Sequence, residues 1–275
     1  MPDPLEAALD ALRSLKASLG PRARDGGHVQ LHLDGAVAQL VLDHGARRNA
    51  LTVGMMIDLA EHVQTLSSWP CSVVMLRARE PRVFCAGGDL SELPHAPPEA
   101  AEAMCVAMSA VLDGLLDLPA ISVCVLDGLA VGGGAELTTA CDHRVGSAAA
   151  RVHFIQASLG IAPGWGGAGR LVRHVGRRRA LQILTREGVV GVDRGLELGL
   201  FDARLEGADP VAEAFDWLGP LLELAPAAVQ AVKRQVVAAA PARTGGVTEE
   251  ARAFGAVWGG PAHRAALARL ARHRS

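Results

Sequence analysis

Two segments of the chain follow the same plan, in which an apolar strand runs into a glycine-rich turn. They are residues 83–90 (VFCAGGDL) and residues 127–137 (DGLAVGGGAEL). Glycine lets the backbone approach a ligand closely and leaves amide N–H groups free to point at it. An N–H group at the start of a helix also carries the positive end of the helix dipole. Two such groups that converge on one oxygen atom form an oxyanion hole, so the pattern predicts a site that stabilises developing negative charge.

The main rival for residues 128–137 is a dinucleotide-binding loop. The G-x-G-x-x-G pattern fails, because it requires glycine at the positions that Ala130 or Leu137 occupies. The sequence also contains no G-x-x-x-x-G-K-[ST], G-x-S-x-G or H-E-x-x-H motif. A role of the two glycine turns in packing alone stays open at this point.

The hydrophobic pattern predicts an α/β protein. Leucines at helical spacing predict a helix over residues 4–19 that ends at Gly20-Pro21, and Asp34-Gly35 predicts a hairpin between strands 28–33 and 36–42. Further helices and strands alternate up to residue 126, which favours crossover units and a partly parallel sheet. These are helix 52–66 with Thr52 as its N-cap, strand 72–77, helix 98–116 and strand 121–126. Beyond about residue 166 the pattern is mostly helical.

Composition narrows the function classes. The chain has 275 residues and a formal net charge of −2, which gives no support for binding nucleic acid or an acidic membrane. The most apolar stretch, residues 120–141, is interrupted by charged residues and glycines and does not read as membrane-spanning. The chain has five cysteines, an odd number, and no C-x-x-C motif occurs in the sequence. We therefore expect no disulfide, no structural zinc and a reducing, cytoplasmic location.

A third segment, residues 154–171, is a glycine-rich loop that leads into a basic helix. Together with Asn49-Ala50-Leu51 and the two glycine turns, in this order, it resembles the crotonase (enoyl-CoA hydratase/isomerase) superfamily. The resemblance implies a spiral α/β core over residues 28–205, preceded by an N-terminal helical extension (1–27) and followed by a helical region for oligomerisation (206–275). It also implies a homo-trimer or a hexamer.

The resemblance also assigns the site. The oxyanion hole falls on the N–H groups of Gly88 and Gly133, the first catalytic glutamate on Glu136, and the second on Gln156. The substrate is an acyl-CoA thioester, so CoA is part of the substrate and no metal or other cofactor is implied. Ala86 and Trp165 are expected to contact the substrate. Arg47 and Arg48 precede Asn49, and two interpretations stay open for them: contact with the CoA phosphates, which arginine suits, or a solvated loop.

Gln156 departs from the hydratase pattern. Hydration of an alkene needs an activated water and a proton donor, and an amide has no useful pKa with which to replace a carboxylate. Three runs, GGGAELTTACD (132–142), WGGAGR (165–170) and VWGGPA (257–262), resemble the decarboxylase branch of the superfamily more than its ordinary hydratases.

This resemblance implies decarboxylation of a short branched malonyl-CoA, such as ethylmalonyl-CoA or methylmalonyl-CoA. Two alternatives stay open. The first is an enoyl-CoA isomerase or hydratase, and the second is a non-catalytic acyl-CoA-binding protein on the same fold.

Overall fold

The computed structural model describes residues 3–20, 26–89, 91–92, 98–239 and 246–272. Within these ranges the chain forms ten α-helices and ten β-strands. The strands are β1 (His28–Asp34), β2 (Val37–Asp43), β3 (Val73–Ala78), β4 (Arg82–Cys85), β5 (Ile121–Leu126), β6 (Gly128–Val131), β7 (His143–Ser147), β8 (Arg151–His153), β9 (Val189–Gly191) and β10 (Ala203–Leu205). The helices are α1 (Pro4–Leu19), α2 (Val53–Leu66), α3 (Pro98–Leu116), α4 (Gly133–Thr138), α5 (Gly167–Thr185), α6 (Val192–Leu198), α7 (Pro210–Leu222), α8 (Pro226–Ala239), α9 (Gly246–Val257) and α10 (Pro261–Arg272).

The strands form two sheets. The larger has the order β1-β2-β3-β5-β7-β10, and the smaller has the order β4-β6-β8-β9. Both sheets are parallel except for the pairs β1–β2 and β8–β9. From β3 to β8, successive strands alternate between the two sheets, so that each turn of the chain adds one strand to each of them. This spiral confirms the predicted α/β fold.

Local signals account for the N-terminal half. The hairpin forms where Asp34-Gly35 predicts it, with Asp34 paired to Val37 and Gly35 in the left-handed region at φ 55°. Thr52 is the N-cap of α2, where its hydroxyl accepts a hydrogen bond from the amide of Met55 at 3.1 Å. The predicted N-terminal helix is also confirmed: α1 buries Leu9 and Leu12 and packs against α2 and α3.

Two strands lie in the region that the sequence predicts as helical. β9 pairs with β8, and β10 pairs with β7. Each has three residues, which is too short to produce a recognisable alternation of apolar and polar side chains. They extend existing sheets, so their conformation depends on the partner strand rather than on their own sequence.

Two C-terminal helices pack against α3 and against the start of the third sequence segment. Helix α9 packs against α3, and α10 packs against the short 3₁₀ helix Gln156–Leu159. In the described part of the chain, no helix is both long and apolar enough to cross a membrane.

Candidate active site

The parallel pairing of β4 with β6 brings the two glycine turns together. Cys85, at the end of β4, lies opposite Ala130 in β6. A Cβ atom on Gly134 would overlap the carbonyl oxygen of Cys85, and one on Gly87 would lie 3.2 Å from the nitrogen of Gly133. The two turns are therefore in contact through their backbones, which explains why glycine occupies these positions.

The predicted oxyanion-hole amides lie in these turns. Among the described residues, the N–H groups of Gly88 and Gly133 have no hydrogen-bond acceptor, whereas the N–H group of one adjacent residue in each turn is occupied. The amide of Asp89 donates to the carbonyl of Leu51 at 2.9 Å, and that of Gly132 donates to the carbonyl of His153 at 2.9 Å. Gly133 is also the first residue of α4, so its N–H group lies at the positive end of that helix.

Asn49 holds the end of the strand that leads into the first glycine turn. Its side chain is buried, and its backbone has a left-handed conformation with φ 52°. Its side-chain oxygen accepts a hydrogen bond from the amide of His44 at 2.8 Å, and its side-chain nitrogen donates to the carbonyls of Val83 and Phe84, each at 3.1 Å. The motif Asn49-Ala50-Leu51 by itself does not indicate this role.

The carboxyl group of Glu136 is buried under the loop that precedes α5. Its Oε2 accepts hydrogen bonds from the amides of Trp165 at 2.8 Å and Gly167 at 3.0 Å. Its Oε1 accepts one from the side-chain nitrogen of Gln156 at 2.9 Å and a longer one from the amide of Gly164 at 3.3 Å. Both oxygens are thus held by donors from the segment between the 3₁₀ helix at Gln156 and the first residue of α5, Gly167.

Burial and local charge act on Glu136 in opposite directions. Burial raises the pKa of the carboxyl above its ordinary value of 4.5, and this outweighs the lowering by Arg170 and the three backbone amides. Arg170 is itself buried, and its guanidinium donates to Asp113 at 3.0 Å and to the hydroxyl of Thr139 at 3.1 Å. Glu136 therefore binds a proton more tightly than an exposed glutamate does.

One polar atom of Gln156 lacks a hydrogen-bond partner among the described residues. Its carbonyl oxygen is buried and makes no hydrogen bond within the described part of the chain. A buried acceptor left in this state costs about 1–3 kcal/mol, so a bound donor would be stabilised there. Chemically, the site offers one carboxyl group and one amide rather than two carboxyl groups.

The residues predicted to contact substrate lie at different places. The ring of Trp165 lies so close to Gly133 that a Cβ atom on that glycine would overlap it. The amide of Ala86 donates to the carbonyl of Arg48 at 3.1 Å, so this N–H group is already occupied. Arg47 and Arg48 are exposed at the turn before Asn49, and in the described ranges neither forms an ion pair.

Sequence reasoning missed two charged residues of this region. Arg170 reads as a surface residue of a basic helix, and only its burial identifies it. Glu250, on α9, reaches the N-terminus of α5 from far along the chain, and no local motif marks it. No group of three or more His, Cys, Asp or Glu side chains suited to a metal ion occurs among the residues for which the structure gives positions.

Comparison with known families adds a second line of information. The model of the family described as enoyl-CoA hydratase/isomerase matches residues 32–257. The chain is 38% identical to a protein named ethylmalonyl-CoA decarboxylase from Gallus gallus, over 89% of this chain and 84% of that protein. It is 32% identical to the protein of the same name from Homo sapiens, over 89% of this chain and 81% of the relative.

Solved structures show the same fold. An enoyl-CoA hydratase from Bacillus halodurans superposes with a TM-score of 0.80 at 19% identity, covering 88% of this chain and 99% of that one. A protein described as enoyl-CoA hydratase/carnithine racemase from Magnetospirillum magneticum superposes with a TM-score of 0.72 at 27% identity, covering 78% of this chain and 81% of that one.

Proposed function

The chain belongs to the enoyl-CoA hydratase/isomerase (crotonase) family, and from this membership we propose that it decarboxylates a short branched malonyl-CoA, with ethylmalonyl-CoA or methylmalonyl-CoA as substrate. Relatives at 32–38% identity that carry the name ethylmalonyl-CoA decarboxylase support this assignment. The acyl-CoA enzyme is thus a carbon–carbon lyase.

The proposed reaction breaks the bond between Cα and the carboxylate of the substrate. The electron pair of that bond stays on the thioester as an enolate while CO2 leaves. The N–H groups of Gly88 and Gly133 bind the enolate oxygen, and loss of one such donor typically costs about 3 kcal/mol of transition-state stabilisation. Transfer of one proton to Cα then yields the saturated acyl-CoA, which is butyryl-CoA from ethylmalonyl-CoA.

Glu136 supplies that proton in the proposed mechanism. A carboxyl group can act as an acid near neutral pH only when its surroundings keep it protonated, and burial favours this state. When Glu136 carries a proton, a half-turn of the Gln156 amide lets its carbonyl accept that proton in a hydrogen bond. The same half-turn directs the NH2 group to where the unpartnered oxygen now lies, and there it can donate to a substrate carboxylate.

The single observation that carries the proposal is the pairing of Glu136 with Gln156 in place of a second carboxyl group. One acid suffices for protonation after decarboxylation, whereas hydration needs both a base and an acid. The test is mass spectrometry of purified protein incubated with malonyl-, methylmalonyl-, ethylmalonyl- and enoyl-CoA esters. We expect loss of CO2 from a branched malonyl ester. Rapid hydration of crotonyl-CoA without CO2 release from any malonyl ester would overturn the proposal.

Two other functions give different results in the same screen. An enoyl-CoA isomerase, with Glu136 as a single proton shuttle, would move a double bond and release no CO2. A non-catalytic acyl-CoA-binding protein would gain thermal stability from CoA esters without converting any of them.

We also propose that the chain assembles into a homo-trimer or a hexamer. Helix α8 supports this, because Val232, Val236 and Val237 are between 46% and 64% exposed and lie on one helix. Apolar side chains in such a group are typical of an interface. Analytical ultracentrifugation at micromolar concentration should give a trimer or hexamer, and a monomer would contradict the proposal.

A further inference from the structure

The N-terminus of α5 binds two carboxyl groups that lie 114 positions apart in the chain, those of Glu136 and Glu250. Its first amide, that of Gly167, donates to Glu136 at 3.0 Å. The next two amides, those of Ala168 and Gly169, donate to Glu250 at 3.3 and 2.6 Å. Glu136 lies on α4 and Glu250 on α9. Successive amides of one helix turn thus hold two carboxyl groups close to each other.

Two carboxylates so close together repel each other, and the cost falls when one of them is protonated. The pKa of the Glu250 carboxyl, like that of Glu136, lies above its ordinary value. Burial is the main cause, and the charge of Glu136 adds to it. The interaction is reciprocal, so an ionised Glu250 raises the pKa of Glu136 in the same way. Glu136 is fully buried whereas Glu250 is only partly buried, so loss of hydration favours the proton on Glu136.

The other charged and titratable groups around the pair leave the negative charge in excess. Burial raises the pKa of the Cys105 thiol on α3, and the charges of Glu136, Glu102 and Glu250 raise it further. The nearby cation that lowers the pKa of both carboxyls is Arg170. Arg170 is itself paired with Asp113, so part of its charge is already compensated.

We propose that Glu250 is a positioning residue of the active site, and that its negative charge, delivered through the shared N-terminus of α5, keeps a proton on Glu136. The proposal rests on the proposed function, in which Glu136 is the acid. It explains how the site retains a protonated acid although the second glutamate position is occupied by Gln156. The carboxylate partner comes from the C-terminal region instead, and it acts on Glu136 without replacing Gln156 beside the substrate.

The test compares Glu250→Gln with Glu249→Gln. Both variants remove one negative charge from the same helix, but Glu249 is exposed. If Glu136 is the acid, kcat declines as the pH rises and Glu136 loses its proton. We expect Glu250→Gln to move this decline to lower pH by about one unit, the scale of the interaction between two like charges at short range. Glu249→Gln should leave the decline in place. Glu250→Asp, which retains the charge, should stay close to the wild type.

A merely structural cap would behave differently. If Glu250→Gln lowers the melting temperature but leaves the pH of the decline unchanged, Glu250 only holds the helix and the proposal is wrong. Measuring both the pH at which kcat declines and the melting temperature therefore distinguishes the two roles.

A second measurement requires no turnover. Infrared difference spectroscopy of the ligand-free protein follows the protonated-carboxyl band of Glu136, identified as the band that Glu136→Gln removes. Its midpoint should fall by the same amount in Glu250→Gln. Because the coupling is reciprocal, the Glu250 band should also titrate at lower pH in Glu136→Gln, which tests the proposal even if Glu250→Gln does not fold. A shifted band without CO2 release would reject the proposed function alone, and unshifted bands would reject this inference alone.

Discussion

The side-chain nitrogen of Gln156 donates a hydrogen bond to Oε1 of Glu136 at 2.9 Å, while the carbonyl oxygen of the same amide is buried without a partner among the described residues. A side chain of nearly the same shape with a carboxylate would place two acids in direct contact. The chemistry of the site therefore depends on one nitrogen atom at position 156.

Gln156→Glu should convert part of the activity. A second carboxyl group beside Glu136 provides the acid–base pair that hydration needs, so we expect hydration of crotonyl-CoA to rise by about 10²-fold. CO2 release should fall, because the added charge repels the substrate carboxylate. Absorbance of the enoyl thioester and mass spectrometry measure the two reactions.

The matched control is Gln156→Met, which removes the hydrogen bond without adding a charge. It should lose CO2 release and gain no hydration. A Gln156→Glu variant that hydrates no faster than the wild type would show that position 156 does not decide between the two reactions.

Glu136→Gln keeps the size of the side chain but removes its titratable proton. We expect unchanged binding of CoA esters in calorimetry and a loss of about 10²-fold in kcat, the usual contribution of a positioned acid. The exposed Glu80→Gln is the control and should retain full activity. If Glu136→Gln stays fully active, the proton comes from water or another group, and His153 is the next residue to replace.

The wild-type pH profile follows from the direction of the pKa shift. The pKa of Glu136 is raised above 4.5 because burial dominates. Only the protonated form can donate, so kcat should be constant at low pH and should fall as the pH rises through the raised pKa. A kcat that increases over that range would contradict the assignment of Glu136 as the acid.

Gly134→Ala should destabilise the protein, because the added methyl group overlaps the carbonyl oxygen of Cys85 and the backbone must move. We expect a loss of about 3 kcal/mol in the free energy of unfolding, measured by urea denaturation. Gly54→Ala in α2 is the control, since its added Cβ atom would make only ordinary contacts of 3.5 Å, with Lys16 Nζ and Thr52 Oγ1. That variant should not lower the free energy of unfolding, because alanine has a higher helix propensity than glycine by about 0.8 kcal/mol. Equal effects of the two substitutions would refute the close contact between the turns.

Arg47→Ala and Arg48→Ala test the expected contact with the CoA phosphates. Both side chains are exposed, so loss of a phosphate contact should raise KM by about tenfold while kcat stays constant, as for an interaction equally strong in ground and transition states. KM of the wild type should also rise with salt. Arg186→Ala, exposed in another part of the chain, is the control. An unchanged KM in both variants would remove these two residues from the binding site.

Some tertiary contacts leave no signal in the sequence. The bond between Gln156 and Glu136 joins residues 20 positions apart, and those from Gly169 and Ala168 to Glu250 span 81 and 82 positions. Neither follows from periodicity or from a motif, because each forms only when separate helices and loops pack together. The same holds for β9 and β10, whose three-residue length carries no pattern of its own.

The sequence by itself determined the elements whose signals are local. Asp34-Gly35 specifies the hairpin, the leucine spacing specifies α1, and the glycine turns after β4 and β6 specify where backbones approach closely. Tertiary structure alone decided the proton affinity of the site. Glu136 is buried by separate segments that pack together, and its four hydrogen-bond donors lie 20 to 31 positions further along the chain. The electrostatic energy of a carboxyl group depends on what surrounds it in space rather than on its neighbours in sequence.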